Sequence, residues 1–363
     1  MDHHARHHTQ ELRFRVMGSN AHILIVGGST DLLGIAAARI ELLEQRWSRF
    51  IPNSEVSVLN NRAGYAVAVS DDTIRLVERA VEAWRETGGS VDATVLDAVI
   101  RAGYDRSLEA LQSGIDTPAT GLRPARTARP PFSLPPGCVD IEIDRLHGTV
   151  TLPHGTGFDP GGLGKGLAAD IVASEILDSG AAGVCINLGG DLRVIGQGPD
   201  GGGWTVDIAH PWTAEPIALI GMYSGAIATS TTLLRTWVVD GERRHHLIDP
   251  ATGMPSDSDL TQVSVVAGEA WQAEVLAKAV LLRGTARAFD LIEPGVDVLA
   301  IDRDGRFHAT PGLAAYLGDA VLPGRIALPE VAEVAEVAEV AKVATGTRNY
   351  DALDEGNDDN GRQ

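Results

Sequence analysis

The chain has 363 residues, which is long enough for two domains or for one large domain with a buried core. Its formal net charge is −19. Such an acidic chain argues against a nucleic-acid-binding protein, because phosphate backbones require a basic surface. No apolar run approaches the ~20 residues that span a bilayer, and the polar N-terminal residues contain no apolar segment of a secretory signal. The composition therefore predicts a soluble, cytoplasmic protein.

The first half of the chain alternates between predicted strands and helices, which are recognised by apolar periodicity and by capping residues. Residues 13–28 are predicted to form one strand with a kink at Met17-Gly18. Ser70 is predicted to cap an amphipathic helix that Gly88 ends. The predicted helices cover residues 31–50, 71–87 and 92–101, and the predicted strands cover residues 13–28, 66–69, 140–144 and 149–152.

The second half is predicted to continue the same mixture. Its predicted strands cover residues 182–188, 192–195, 204–209, 216–221, 226–229, 237–239, 260–267 and 298–301, and its predicted helices cover residues 167–178 and 269–282. Gly196, Gly198 and Gly201 match the dinucleotide-binding pattern, but a strand follows them where that motif needs a helix. They are therefore predicted to form a hairpin loop, which disfavours a nicotinamide dehydrogenase. Cys138 and Cys185 lie in apolar runs, which favours buried thiols over a disulfide.

One folded domain, residues 13–325, is predicted between two irregular ends. Residues 1–12 are predicted to be disordered, although their histidine pairs could bind a metal. Residues 106–137 are rich in proline and are predicted to be an irregular surface excursion within the domain. Residues 326–363 begin with repeated Val-Ala-Glu triplets, whose period of three drifts around a helix, and an acidic run follows. This pattern predicts a largely disordered acidic tail.

A glycine-rich stretch, Asp-Pro-Gly-Gly-Leu-Gly-Lys-Gly at residues 159–166, directly precedes a predicted helix. Glycines let the backbone approach a ligand, and the N-terminus of a helix attracts anions. Lys165 adds a mobile point charge that suits a pyrophosphate. The stretch is not a Walker P-loop, because Asp159 stands at the position of the first glycine and Gly166 follows the lysine. It is predicted to be a phosphate-binding turn of another kind.

Three turns that each follow a strand pattern could converge at one edge of a sheet: residues 159–166, 187–191 and 245–253. The alternative is that they are ordinary turns whose aspartates act as caps. In the third turn, the pair His245-His246 could provide a general base, because histidine titrates near neutral pH. His246 could equally serve only to hydrogen-bond its own loop.

Seven segments, taken in order, resemble the ApbE family of flavin transferases. They are Met17-Gly18-Ser19, the Trp-Ser-Arg-Phe segment beginning at Trp47, Val91-Asp92-Ala93-Thr94, residues 159–168, residues 187–191, Ala228-Thr229-Ser230, and residues 246–253. The similarity spans roughly residues 13–310, and the number and order of the segments make it specific.

This resemblance implies an α+β fold of ApbE type, related to the T-fold, with mixed sheets, packed helices and an FAD site between its two halves. It implies an FAD:protein FMN transferase, which moves FMN from FAD to a Thr or Ser hydroxyl of a target protein and releases AMP. Mg²⁺ is the usual metal at the pyrophosphate in this family. The residue chemistry agrees, because attack on phosphorus needs charge neutralisation, a positioned hydroxyl and a base.

The resemblance also assigns residues to roles. His246 is implied as the base, and Lys165 with the glycine backbone as the source of charge neutralisation. The implied FAD-binding residues are Met17, Asp92, Ala93, Asp159, Gly161, Gly162, Lys165, Gly190, Asp191, Thr229, Ser230 and Asp249. The implied metal site comprises Gly162, Glu274 and the position of Lys278.

The chain departs from the family at that metal site. Lys278 stands where the family has threonine, and an ammonium group donates hydrogen bonds and does not coordinate a metal. One hypothesis is that Lys278 takes over part of the metal's charge and leaves metal binding weak or absent. The segment after Ser230 also lacks the family's usual Gly-Asp-Tyr. A Mg²⁺-dependent FAD pyrophosphatase and an inactive FAD-binding protein therefore remain as alternatives.

Overall fold

The computed structural model describes residues 8–107, 111, 134, 137–213, 216–239, 241–313, 316 and 341–343. Most of the predicted proline-rich excursion and most of the predicted acidic tail lie outside the described residues. The strands are β1 (Thr9–Val16), β2 (Ser19–Val26), β3 (Val67–Ala68), β4 (Glu142–Asp144), β5 (Thr149–Thr151), β6 (Gly183–Leu188), β7 (Asp191–Gly196), β8 (Trp204–Ala209), β9 (Pro216–Met222), β10 (Gly225–Thr231), β11 (Thr236–Val239), β12 (Glu242–His245), β13 (Ile248–Asp249), β14 (Met254–Pro255), β15 (Leu260–Ala267), β16 (Asp297–Asp302), β17 (Phe307–Ala309) and β18 (Ala341–Val343). The helices are α1 (Leu32–Trp47), α2 (Glu55–Asn61), α3 (Asp71–Glu86), α4 (Leu96–Arg101), α5 (Gly164–Asp178) and α6 (Ala270–Arg283), with 3₁₀ turns at Thr285–Arg287 and Pro311–Leu313.

An antiparallel sheet of eight strands, in the order β1-β2-β6-β7-β10-β15-β16-β17, forms the centre of the fold. Alternate residues of its inner strands enter two different apolar cores. In β2, Ile23 and Ile25 pack on the side of the helices, whereas Leu24 and Val26 pack towards β8 and β9. The sheet is therefore the middle of three layers, with α1, α5 and α6 on one face and the small sheet of β18, β8 and β9 on the other. This is the mixed α+β architecture that the sequence predicts.

The start of the chain differs from the prediction in two ways. The predicted single strand is a hairpin of β1 and β2, because Met17 (φ 51°) and Gly18 (φ 63°) both have left-handed backbone conformations and reverse the chain. Two such residues in succession are what a two-residue hairpin turn requires. Residues 9–12, predicted to be disordered, belong to β1, because Thr9 pairs with Val26 across this hairpin. Residues 1–7 of the predicted disordered end lie outside the described residues.

Two further predictions are changed by the sheet topology. The glycine loop after Gly196 is not a hairpin loop, because β7 lies in the central sheet and β8 in the small sheet. No helix follows this loop, which agrees with rejecting the dinucleotide motif. Within the predicted tail, Ala341–Val343 form β18 and pair with β8. Cys138 and Cys185 are buried, free thiols, as predicted.

Helices α5 and α6 cross closely on the central sheet. A Cβ atom on Gly166 would lie 2.4 Å from the carbonyl oxygen of Ala270, so only glycine allows this approach. The first residues of α6 are capped from the neighbouring helix. Buried Asp170 accepts hydrogen bonds from the backbone N–H groups of Ala270 (2.8 Å) and Trp271 (2.9 Å) and lies 3.2 Å from Nε of Arg193. This clamp fixes the helices that carry the residues of the site.

We expect Asp170→Ala to lower the free energy of unfolding by about 2–4 kcal/mol, because it leaves two buried helix N–H groups without their acceptor and removes the ion-pair partner of the half-buried Arg193 guanidinium. Urea unfolding followed by circular dichroism measures this change. The matched control is Asp178→Ala, which removes an exposed acid at the C-terminal end of the same helix and should leave stability unchanged. Equal effects of both substitutions would contradict the assigned clamp.

None of the helices in the described part of the chain combines the length and the apolar character needed to cross a membrane.

Candidate active site

A cavity of about 510 Å³ opens on the helical side of the central sheet. Residues 15–107 supply one part of its wall and residues 159–282 the other, so both halves of the chain contribute. The wall includes the predicted site residues Met17, Asp92, Ala93, Asp159, Gly161, Gly162, Lys165, His246 and Lys278. Two of the three predicted turns therefore meet here, and the third reaches the cavity through Lys165.

Asp159 fixes the glycine-rich turn that precedes α5. Its backbone N–H donates to the carbonyl oxygen of Ala93 (2.7 Å), and its carboxylate accepts from the N–H of Gly161 (2.9 Å). The same carboxylate forms an ion pair with Nε of Arg49 (3.2 Å). The N–H of Gly166 is also engaged, since it donates to Glu274 (2.8 Å). The N–H groups of Gly161 and Gly166 lie in the stretch predicted to bind phosphate, but here they stabilise the turn.

Lys165 is the centre of a buried charge cluster at the start of α5. Its ammonium group contacts the carboxylate of Asp191, at the start of β7, and lies 2.7 Å from that of Glu274 on α6. Burial alone would lower the pKa of Lys165, but the two carboxylates outweigh this effect and raise it. Burial and the neighbouring Glu274 raise the pKa of Asp191 to about 6. At neutral pH the cluster holds a charged lysine between the carboxylates of Asp191 and Glu274.

Lys278 brings a second ammonium group to the same place. It lies one helical turn after Glu274, and its Nζ donates to the carbonyl oxygen of Gly161 (3.3 Å). A Cβ atom on Gly162 would lie only 2.6 Å from this nitrogen, so the ammonium group rests directly against the glycine turn. Burial lowers the pKa of Lys278, and the attraction of Glu274 opposes this shift.

The two adjacent histidines have different surroundings. Nε2 of His245 lies 3.1 Å from the carbonyl oxygen of Ser256, and Nδ1 of His245 accepts from the N–H of Leu247. Nδ1 of His246 is buried and has no hydrogen-bond partner among the described residues. Burial, reinforced by the charges of Arg235 and Lys278, lowers the pKa of His246 well below its ordinary value of 6.5. His245 therefore holds the loop, while His246 faces the cavity as a neutral imidazole.

Aromatic residues and arginines to which the sequence assigned no role form another part of the wall. The guanidinium of Arg49 lies over the rings of Phe50 (4.2 Å) and Tyr104 (4.8 Å), and its Nη1 is buried without a partner among the described residues. Tyr104 in turn stacks on Trp237 at 5.2 Å. Arg235 lines the cavity with a left-handed backbone (φ 50°), a conformation that often marks functional positions.

Six predicted site residues do not line the cavity within the described part of the chain. Asp191 and Glu274 reach it indirectly through Lys165. The others make local contacts: the hydroxyl of Thr229 pairs with that of Ser264 (2.8 Å), Asp249 accepts from the N–H of Ala251, and Gly190 donates to Asn187. Ser230 follows Thr229 on β10. Binding of the ligand stays a prediction for every one of these site residues, and for Gly190, Thr229, Ser230 and Asp249 the cavity gives it no support.

The fold and this cavity define an α+β protein that can hold an anionic ligand beside a neutral histidine. The model of the ApbE family matches residues 17–300, and the chain belongs to that family. The membership agrees with the resemblance seen in the sequence.

Curated relatives carry the name FAD:protein FMN transferase. The relative from Treponema pallidum is 27% identical over 277 residues, covering 72% of this chain and 74% of the relative. The one from Vibrio cholerae is 26% identical over 260 residues, covering 70% of this chain and 74% of the relative.

Solved structures of ApbE proteins share the fold. The ApbE protein of Thermotoga maritima superposes with a TM-score of 0.71 at 22% identity, covering 86% of this chain and 100% of that one. The flavin transferase ApbE of Vibrio cholerae gives a TM-score of 0.69 at 23% identity, again covering 86% of this chain and 100% of that one.

The residues at the family's metal position do not fit a divalent metal in this chain. Glu274 uses one carboxylate oxygen for Lys165 and the other for the N–H of Gly166. Lys278 presents an ammonium group at Gly161 and Gly162, and such a group cannot be a ligand. Among the described residues, no group of three or more His, Cys, Asp or Glu side chains is arranged to hold a metal ion.

Proposed function

We propose that this chain transfers FMN from FAD to a Thr or Ser hydroxyl of a target protein and releases AMP. The observation that carries the proposal is that a neutral histidine, His246, and the Lys165 charge cluster line one cavity. Family membership and the name of the curated relatives support the same reaction.

In the proposed mechanism the glycine turn and the lysines receive the pyrophosphate of FAD. Lys165 is held in one orientation by Asp191 and Glu274, so its charge is positioned before the ligand arrives. The free guanidinium nitrogen of Arg49 offers a further donor at the same wall. Side chains of this kind neutralise the charge of both phosphates and keep the reacting phosphorus in place.

The transfer step exchanges one P–O bond for another. The hydroxyl oxygen of the target protein forms a bond to the phosphorus of the FMN half, and the bond between that phosphorus and the oxygen bridging to AMP breaks. The hydroxyl proton passes to His246, and the electron pair of the broken bond leaves with AMP. A neutral imidazole is the protonation state that can accept this proton.

Incubation of the protein with FAD separates this reaction from its alternatives. Covalent FMN on Thr or Ser of a protein from the organism's own extract, seen as flavin fluorescence in denaturing gels and located by mass spectrometry, supports transfer. AMP released without any acceptor would indicate a pyrophosphatase. Intact FAD retained in the presence of the extract would indicate a binding protein.

The pH dependence of the reaction tests the role of His246. Because burial and the facing charges of Arg235, Lys278, His245 and Lys165 lower its pKa, His246 stays neutral as the pH falls through 6.5. Transfer should therefore persist at pH 6, where a base with the ordinary pKa would lose about two-thirds of its pH 7 rate. NMR titration of the histidine ring signals measures the pKa directly, with His246→Gln to assign the resonance. A pKa at or above 6.5 would contradict this expectation.

The proposed acceptor is defined by its chemistry, which is an accessible Thr or Ser hydroxyl on the target protein. The cytoplasmic location expected from the sequence stays a prediction.

A further inference from the structure

Lys278 occupies a distinctive position in the cavity wall. Its Nζ donates to the carbonyl oxygen of Gly161 and lies where a side chain on Gly162 would begin. The ammonium group is thus seated in the glycine turn proposed to receive the pyrophosphate. Glu274, one turn earlier on α6, is directed towards Lys165 and the start of α5.

The chain uses lysine very selectively. Its 30 Lys and Arg residues include only three lysines, Lys165, Lys278 and Lys342, and the first two share this cavity wall. Lysine differs from arginine in carrying a compact point charge, which resembles a metal ion more closely than a planar guanidinium does. Two of the three lysine ammonium groups of the chain therefore lie at this site.

The balance of charge also favours an anionic ligand without a metal. Lys165, Lys278, Arg235 and Arg49 face three carboxylates, those of Asp191, Glu274 and Asp159. Within this group the cations outnumber the carboxylates by one before any ligand binds. A divalent cation would add to this excess and would meet the ammonium group of Lys278 at close range, and repulsion between like charges opposes its binding.

We infer that Lys278 is a built-in cation that takes the place of a divalent metal at the pyrophosphate, so that FAD binding and FMN transfer by this chain do not depend on Mg²⁺. The inference rests on the proposed function, because it concerns how the same cavity holds FAD. In the transfer step the ammonium group neutralises charge on the phosphates while the acceptor oxygen bonds to the FMN phosphorus and AMP departs. It neither gains nor loses a proton in that step.

The affinity for FAD, measured by flavin fluorescence in EDTA and in millimolar Mg²⁺, tests this inference apart from turnover. The wild-type affinity should be the same in both solutions. Lys278→Thr, which introduces the family's residue, should weaken FAD binding about tenfold or more in EDTA and recover it in Mg²⁺. Lys278→Met should bind weakly in both solutions, because it supplies neither a charge nor a ligand.

Arg287→Met is the control, since it removes an exposed charge just after the same helix and should leave FAD affinity unchanged in both solutions. Wild-type affinity that rises about tenfold with Mg²⁺, or Lys278→Thr that binds FAD normally in EDTA, would overturn the inference and leave the proposed transfer intact. Metal-independent FAD binding without transfer would support the inference and reject the proposed function. Failure to bind FAD in either solution would reject both.

Discussion

Replacing His246 by alanine is expected to lower the rate of FMN transfer by about 10²–10⁴-fold while leaving FAD bound. The imidazole lines the cavity, its Nδ1 has no partner among the described residues, and its pKa is lowered so that it is neutral at pH 7. An uncharged imidazole with an unpaired ring nitrogen can accept the proton of the acceptor hydroxyl. Single-turnover formation of covalent FMN on the acceptor measures the rate, and flavin fluorescence measures the affinity for FAD.

The neighbouring residue provides a matched control. His245 is held by the carbonyl oxygen of Ser256 and does not line the cavity within the described residues, so His245→Ala should retain most of the transfer activity. Added imidazole should restore part of the rate of His246→Ala, because it can enter the space left by the side chain and accept the proton. A His246→Ala protein that transfers FMN within about threefold of the wild-type rate would remove His246 from the mechanism.

The general form of this site could be predicted because strand ends and turns have a local sequence pattern. The stretch at residues 159–166 leads into a helix as predicted, although α5 begins at Gly164, three residues earlier than expected. Lys165 and His246 line one cavity although they lie far apart in the chain. Periodicity also located α3 and α5, where apolar spacing and turn residues agree. The resemblance pointed to His246, but residue chemistry alone could not say which of the two histidines faces the cavity, because that choice depends on a hydrogen bond from His245 across its loop.

The remaining features depend on contacts between distant residues. Arg49 and Tyr104 meet only after folding. Arg49 lies in the segment beginning at Trp47 that resembles the family, but the resemblance assigns it no role, and Tyr104 lies outside the seven segments. The sequence predicts a kink at Met17-Gly18, and the hairpin turn found there could not be predicted, because methionine rarely adopts a left-handed backbone. A hydrogen bond from its N–H to Glu44 on α1 (2.6 Å) joins this turn to the helix. Asp170 likewise has no sequence pattern that predicts its role, because it caps a helix that lies a hundred residues away in the chain.

Replacing Lys165 by methionine is expected to lower the free energy of unfolding by about 3–5 kcal/mol and to abolish detectable FAD binding. The substitution keeps the unbranched side chain, one atom shorter, but leaves the buried carboxylates of Asp191 and Glu274 without their shared cation. The repulsion between them, which already raises the pKa of Asp191, is then uncompensated. Urea unfolding measures the loss of stability. Arg303→Met, which breaks an exposed ion pair of 2.8 Å with Asp257, should produce no measurable change.

A triple variant separates the structural role of Lys165 from its role at the phosphates. Adding Asp191→Asn and Glu274→Gln to Lys165→Met removes the two uncompensated charges while the glutamine can still accept from the N–H of Gly166. The triple variant should therefore regain much of the lost stability, yet it should still fail to bind FAD, because no lysine remains at position 165. Recovery of both properties would show that Lys165 serves only to neutralise its two neighbours. Recovery of neither would mean that the cluster does not store the expected charge repulsion.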